Sequence, residues 1–341
     1  MVLFVVMQTW HFKQSNELQE PYQEHSNNHK EDIMAYIGLD IGGTKILGAL
    51  LDDEGAILDK EKTASLAEEG FDTFLSQVHH VIDTLFERTS EPIAGIGVGV
   101  PGMVDQQGVV VFTPNLPMKK FDLTSHLKER YHTNVQLGND VNLGTYGEYK
   151  ELKIQHKNVI GFFPGTGLGG GIIINGRLYI GKGLAGELGH IVVNKNGVPC
   201  SCGNEGCLES YASKKGIIAY LQSQLDHGRD TVLRDAVETG VIKSSKLKKA
   251  VDQGDVLAVE AIEQFKEYLG MGVGMIMNIF NPDLILIGGG IIDAFGEEML
   301  IDIKKHAKHH AMKGIYKRTE IRQSRLGDDA VIYGAFHLVR D

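Results

Sequence analysis

The chain has 341 residues, 42% hydrophobic and 23% charged, with a formal charge of −10. That length and balance fit a soluble globular protein of two ordinary domains, and the acidic excess argues against nucleic acid as the main partner, which wants a basic face. The apolar run Met1–Met7 stops at Gln8, far short of the roughly 20 residues of a spanning helix and without the leading positive charge of a signal peptide, so no membrane partner is expected.

Residues 14–32 are polar and aperiodic, and residues 1–33 read as a mostly disordered extension, with Met34 as an alternative start. Ordered pattern begins with a strand at Ala35–Asp40, a Gly42-Gly43-Thr44 turn, a strand at Ile46–Leu51, a hairpin turn at Asp53-Glu54-Gly55 and a third strand opening at Ala56. Apolar residues at helical spacing, among them Phe71, Phe74, Val78, Ile82 and Leu85, predict a helix over 71–88. A glycine-rich buried strand follows at Ile93–Val100, a short helix at Leu123–Tyr131, and a strand at Val135–Asn139 running into a helix after Asp140. The pattern then recurs: strand Val159–Phe163, turn Gly165-Thr166-Gly167, strand Gly171–Ile174, hairpin Asn175-Gly176 and strand Arg177–Ile180. Val256–Phe280 reads as a long helix stopped by Asn281-Pro282, Leu284–Ile287 as a strand buried on both faces, and Ala330–Val339 as a terminal helix. Two strand–turn–strand–hairpin–strand units, one per half, imply a duplicated α/β domain.

Three glycine clusters follow predicted strands: Gly42-Gly43-Thr44, Gly165-Thr166-Gly167 and Gly288-Gly289-Gly290. Glycine fits tight turns, but it also admits ligand close to backbone, and successive amides in a turn can cradle phosphate. Two loops in duplicated contexts and a third after a buried strand favour a nucleotide. Two spellings of the dinucleotide fingerprint, Gly97-x-Gly99-x-x-Gly102 and Gly165-x-Gly167-x-x-Gly170, are coincidental, because neither opens a helix, and no Walker A spacing is present.

The only cysteines, Cys200, Cys202 and Cys207, share one short loop, with His190 ten positions upstream. So few and so grouped, they do not read as a secreted disulfide framework and point to a reducing, cytoplasmic compartment. Three thiolates and an imidazole form a tetrahedral zinc set with no open position, hence a structural metal; the plainer reading is three buried thiols. Asn139-Asp140 ends a predicted strand, where ligands collect in open α/β sheets. Asp140 is the candidate to accept a hydroxyl proton, with an N-cap of the following helix as its structural alternative. Glu187, His190 and Glu209 flank the cysteines and suit a polyhydroxylated ligand; zinc on one ring nitrogen of His190 would aim the other.

At these residues the sequence resembles the ROK family of bacterial sugar kinases and sugar-responsive repressors, over about residues 35–340. Asp40–Lys45 (DIGGTK) is similar to its first phosphate loop and Gly165–Gly167 to its second; Pro101-Gly102 and Pro114-Asn115 resemble its sugar-contact segments. Gly186–His190 (GELGH) with Cys200–Glu209 (CSCGNEGCLE) matches its signature, and the run of motifs is most similar to its glucokinases. The resemblance implies an actin-like (ribonuclease-H-like) duplicated two-domain ATPase fold with a cleft between the lobes. Residues 34–140, joined by the terminal helix 329–341, would form the N-terminal lobe, and 141–328 the C-terminal lobe with the zinc loop. It implies transfer of the γ-phosphate of ATP to the 6-hydroxyl of glucose, with Asp140 as general base. Gly102, Asn115, Asn139, Asp140, Glu187, His190 and Glu209 would bind the sugar. Asp40, Gly42, Gly43, Thr44, Lys45, Gly165, Thr166, Gly167, Gly288, Gly289 and Gly290 would bind ATP, with Mg²⁺ bridging its phosphates. His190, Cys200, Cys202 and Cys207 would hold zinc, and the assembly would be a homodimer or larger. Pro164 departs from the family pattern, which more often has a small or aliphatic residue there; proline removes a donor and stiffens the loop.

Two other classes compete. A sugar-sensing repressor would need a DNA-binding module ahead of Met34, and 33 residues without two clear helices are short for one. An actin- or chaperone-type ATPase would share the loops but has no use for the Glu187/His190/cysteine cluster. The hexose itself stays open among glucose, N-acetylmannosamine, N-acetylglucosamine and fructose, and polyphosphate is an alternative donor.

Overall fold

The computed structural model describes residues 34–105, 107–113 and 115–341; the readings placed on residues 1–33 and on Pro114 lie outside them. In chain order the first half comprises β1 (Ala35–Ile41), β2 (Lys45–Asp52), β3 (Ile57–Ala64), α1 (Phe71–Glu87), β4 (Ile93–Val100), β5 (Met103–Val104), β6 (Val110–Phe112), β7 (Lys119–Phe121), α2 (Leu123–Tyr131), β8 (Asn134–Asn139) and α3 (Asp140–Glu151). The second half comprises β9 (Val159–Pro164), β10 (Leu168–Ile174), β11 (Arg177–Leu178), α4 (Lys214–Asp226), α5 (Arg234–Glu238), α6 (Ser244–Asp252), α7 (Val256–Phe280), β12 (Leu284–Ile287), α8 (Gly290–Phe295), α9 (Glu297–His310), α10 (Lys313–Tyr316), β13 (Glu320–Gln323) and α11 (Ala330–Arg340).

The duplication is visible in the sheets. One has the order β3-β2-β1-β4-β8 and the other β11-β10-β9-β12-β13. In each, the first three strands are antiparallel neighbours and the last two add in parallel. This is the two-domain, actin-like ATPase fold. A small antiparallel sheet, β5-β6-β7, rises between β4 and α2.

The pleat of β4 explains its glycines. Ile96, Val98 and Val100 alternate to one face, where they join a core with Phe74, Val78 and Leu85 of α1. Gly95, Gly97 and Gly99 take the other face, under α11. A Cβ on Gly97 would stand 1.8 Å from the Ala335 carbonyl oxygen, and one on Gly95 or Gly99 would meet Val339 or Val331 at 2.5 or 2.4 Å. Val331, Ala335 and Val339 are spaced four apart, one stripe of the helix. α11 crosses α3 as closely: a Cβ on Gly334 would stand 1.9 Å from the Leu143 carbonyl, and one on Gly147 2.1 Å from that of Ala330. On its opposite side α3 lies on glycines of the second sheet, where Val141 meets Gly169 and Thr145 meets Gly171 at 2.5 and 2.1 Å from their would-be Cβ positions. The second core gathers β9, β10 and β12 with α4, α7 and α9 around Phe162, Phe265, Leu269 and Ile287.

These contacts predict a graded response to added methyls. Gly97→Ala and Gly334→Ala each lose about 1–3 kcal/mol or more in denaturant unfolding, since a carbonyl must move. Gly314→Ala in α10, where a Cβ meets nothing within 4 Å, stays within about 0.5 kcal/mol. Equal stability of the three variants would contradict this packing.

Candidate active site and metal centre

Asp140 is the first residue of α3, and Asn139 caps that helix by accepting from the Asn142 amide at 3.0 Å. The structural alternative for Asp140 therefore falls away: its neighbour does the capping. Asn139 also donates from Nδ2 to the Gly102 carbonyl at 3.1 Å, so it is fixed at both ends. Asp140 accepts from the Val141 amide at 2.9 Å and is otherwise turned to the cleft. Burial pushes its carboxyl above the usual range, against the pull of backbone amides, and Glu187 adds to the rise.

Two cavities meet at this point. One, of about 330 Å³ counting space open to solvent, is lined by Gly102, Asn139, Val141, Asn142, Gly169, Gly170 and residues 183–187. The other, of about 710 Å³ and open to solvent, is lined by Asp40, Asp140, Val141, Phe163, Gly289, Gly290, Asp293, Ser324 and Asp328 among others. Val141 belongs to both, so Asp140 stands at their junction. Of the sequence candidates, the first cavity thus gathers Gly102, Asn139 and Glu187, and the second Asp40, Asp140, Gly289 and Gly290. Asn115 lies instead against the first glycine loop, with its Cβ 3.0 Å from where one on Gly43 would stand. Glu209 turns a carboxylate oxygen to the Leu168 amide at 2.8 Å, bracing the second loop.

The glycine loops differ in what holds them. The Gly42 amide bonds the Lys45 carbonyl and the Gly165 amide bonds that of Gly167, both at 2.8 Å. Ser65, fully buried, donates its hydroxyl to the Gly43 carbonyl at 2.6 Å. The amides of Gly43, Thr44, Thr166 and Gly167 find no acceptor among the described residues. A Cβ on Gly165 would meet nothing within 4 Å, so packing does not require glycine there. Gly289 has φ +95°, and a Cβ on it would stand 2.5 Å from the Pro164 carbonyl, so the second and third loops touch. Gly288 lies deeper, against Ser324 and Phe163.

Asp328 was not among the sequence candidates. It pairs with Lys45 at 2.5 Å, and that hydrogen bond holds its carboxyl below the usual range. Glu148 of α3, fully buried, accepts from the Ser324 hydroxyl and from the amides of Arg325 and Leu326 at 2.6–2.8 Å, fixing the chain just before Asp328. The run Gly327-Asp328-Asp329 ahead of the terminal helix was the available signal. Asp40 is raised to about 7, first by burial and then by the charge of Asp140. Carboxylate oxygens facing a phosphate-sized cleft suit a hard divalent cation such as Mg²⁺.

His190, Cys200, Cys202 and Cys207 converge, with one ligand atom from each inside a 4.8 Å cluster. His190 Nδ1 lies 3.6 Å from Cys200 Sγ, and Cys202 Sγ lies 3.7 Å from Cys207 Sγ. A tetrahedral zinc with bonds of about 2.3 Å to sulfur and 2.0–2.1 Å to nitrogen sets edges of about 3.8 and 3.6 Å, so the donors fit the ion. Burial pushes the Cys207 thiol up to about 12 without a cation beside it. The other ring nitrogen of His190, Nε2, faces Glu187 at 3.8 Å. Tyr211 supports the loop by accepting from the Val198 amide at 3.0 Å and from Asn194 at 3.2 Å, and its ring stacks on Tyr268 of α7 at 4.0 Å.

The raised Asp40 makes a signed prediction. A carboxyl whose folded pKa exceeds its unfolded value contributes stability at low pH and loses it as pH rises from 3.8 to about 7. In metal-free protein, Asp40→Asn therefore raises Tm over the parent more at pH 8 than at pH 4.5. The same Tm difference at both pH values would show that Asp40 titrates normally.

The ROK family model matches residues 36–341. A glucokinase of Halalkalibacterium halodurans is 33% identical over 313 residues, 89% of this chain and 94% of that protein. A xylose repressor of Bacillus subtilis is 32% identical over 311 residues, 89% of this chain and 77% of that protein. The crystal structure of a ROK family glucokinase from Streptomyces griseus, in complex with glucose and AMPPNP, superposes with a TM-score of 0.75 at 31% identity, over 90% of this chain and 99% of that one. On sequence and fold together, the chain belongs to the ROK family.

Proposed function

We propose that the protein is an ATP-dependent hexose kinase, acting on the 6-hydroxyl of glucose. The observation that carries this is Asp140, a half-buried carboxylate of raised pKa at the junction of two cavities, relieved of helix capping by Asn139. A chain that only sensed sugar has no need of a proton acceptor there. The repressor relatives define the competing reading, in which the same pocket binds sugar without turnover.

In this reading residues 34–140 with 329–341 form one lobe and 141–328 the other. The hexose occupies the smaller cavity, held by Gly102, Asn139 and Glu187, with His190, Glu209 and Asn115 completing its contacts as the lobes close. The nucleotide lies along the larger cavity, its phosphates on the free amides of Gly43, Thr44, Thr166 and Gly167 and its nucleoside towards Gly288–Gly290. Asp40 would hold Mg²⁺, which when bound would neutralise phosphate charge. Asp140 accepts the proton of the 6-hydroxyl as that oxygen bonds to the γ-phosphorus and the bond to the β–γ bridging oxygen breaks, leaving ADP and the sugar 6-phosphate. The raised pKa makes Asp140 a better proton acceptor than an exposed carboxylate. Closure excludes water, the competing acceptor. His190 and the three cysteines would hold zinc, which would fix the loop with His190 Nε2 towards Glu187.

Asp140→Asn keeps size and one acceptor but removes the base. Turnover in a coupled assay falls by at least about 100-fold while calorimetric sugar affinity changes little. Because Asn139 keeps the cap and a buried carboxyl of raised pKa is removed, the melting curve does not fall below the parent's. Near-normal turnover in the folded variant would overturn the assignment.

Metal analysis of protein purified without chelator gives about one zinc per chain. Cys202→Ser lowers both zinc content and Tm and weakens hexose binding, because the same loop carries Glu187 and His190. Full metal content in the variant, or none in the parent, would contradict the Cys3His site.

A further inference from the structure

The larger cavity is lined by Asp40, Asp140, Asp293 and Asp328, a poor surface for a phosphate chain. The lysine of the first loop, Lys45, is already neutralised by Asp328. Lys60, Lys150 and Lys248 are paired in the same way, with Asp329, Asp341 and Asp252, while many other lysines have no acidic partner among the described residues. Among the unpaired lysines Lys214 is distinguished by its place, beside Gly290 of the cavity wall. It opens α4, is half-buried, and its ammonium has no hydrogen-bond or ion-pair partner among the described residues.

Its place in the fold is fixed by its backbone. The Lys214 amide bonds the Gly165 carbonyl at 3.0 Å and the Lys215 amide bonds that of Thr166 at 3.2 Å, which docks α4 on the second glycine loop. The side chain reaches to the third loop: Nζ lies 3.9 Å from where a Cβ on Gly290 would stand, and Ser244 Oγ lies 3.3 Å from the same point. Gly290 is not in a left-handed conformation, so its backbone does not require glycine. What the missing Cβ leaves is a gap between an unpaired ammonium, a hydroxyl and the wall of the donor cavity.

We propose that Lys214 is a binding residue for the phosphate chain of the nucleotide, supplying positive charge between the second and third glycine loops, with Ser244 as a neutral partner. This rests on the kinase reading for its place in a reaction, but not for the binding itself. A charge-assisted contact between an ammonium and a phosphate oxygen is worth roughly 1.5–3 kcal/mol, which is about 10–100-fold in affinity. Ser244, a neutral donor, is worth less.

The test is calorimetric titration of the whole chain, zinc-loaded and with Mg²⁺, with a nonhydrolysable ATP analogue. Lys214→Ala weakens binding about 10-fold or more, Lys214→Met, which keeps the stem, weakens it as much, and Lys214→Arg restores most of it. Hexose affinity measured without nucleotide stays at the parent's value in all three. Nucleotide binding by the folded Ala and Met variants at parental affinity would overturn the proposal, as would a Met variant that binds like the parent while Ala does not, since packing rather than charge would then be at work. If the parent binds the analogue through Lys214 but phosphorylates no hexose, the kinase reading fails and the assignment of Lys214 stands.

Discussion

Everything in the cleft depends on where α3 lies. It is the helix that Asp140 begins, and it is held on two sides at backbone contact distance. Gly169, Gly171 and Gly161 of the second sheet admit Val141 and Thr145 on one side, while Gly147 of α3 and Gly334 of α11 let the two helices cross on the other. The contacts with α11 have no slack, because a carbonyl oxygen cannot rotate away as a side chain can. Asp140 therefore has a defined height between the two cavities, and Asn139, tied to both Gly102 and Asn142, fixes the turn before it. Glu148, two turns further on, carries the same helix's position to the segment that presents Asp328.

The two halves of the site use different means to become rigid. The side of the glycine loops is built of backbone, with carbonyls tied down while several amides stay open. The side of Glu187 and His190 has little regular structure: Gly186–His190 and the cysteine loop contain only short 3₁₀ turns and isolated bridges. Four donor atoms within 4.8 Å of one another replace the missing sheet, and the Tyr211–Tyr268 stack anchors their base to α7. Metal coordination is an economical way to order a loop too small and polar to bury a core.

Much of this was legible in the residues. The β-hairpin signals Asp53-Glu54-Gly55 and Asn175-Gly176, the long α7 and the buried β12 all stand where their patterns put them. The cysteine cluster was legible because its chemistry is local in sequence. Helices α4, α5, α6, α8, α9 and α10 and the short strands β5, β6, β7 and β13 are not evident in the sequence, because their apolar residues find meaning only against a core that is distant along the chain. The glycine alternation in β4 was plain as spelling, but what it meant could not be read without α11, because a missing Cβ says nothing about which carbonyl fills the space. Asp328 and Glu148 were missed for the same reason: each acts through partners far away along the chain. The N-cap that stands as the alternative role of Asp140 falls one residue earlier, because Asn139 and Asp140 are both good caps and only the hydrogen bond to the Asn142 amide distinguishes them.

The dependence of the first sheet on α11 also bears on how the chain is made. β1 and β4 are synthesised early, yet the helix that covers their glycine face, with Val331, Ala335 and Val339, comes nearly the whole described chain later. On the ribosome that face must wait, paved with backbone and ringed by apolar residues, while the entire second half emerges and folds. Native closure of the first half is therefore a late event of high contact order. In a nascent chain the open face is a surface for a chaperone or a protease to read, and messages or mutations that end translation before α11 leave a second half able to pack beside a first half that cannot.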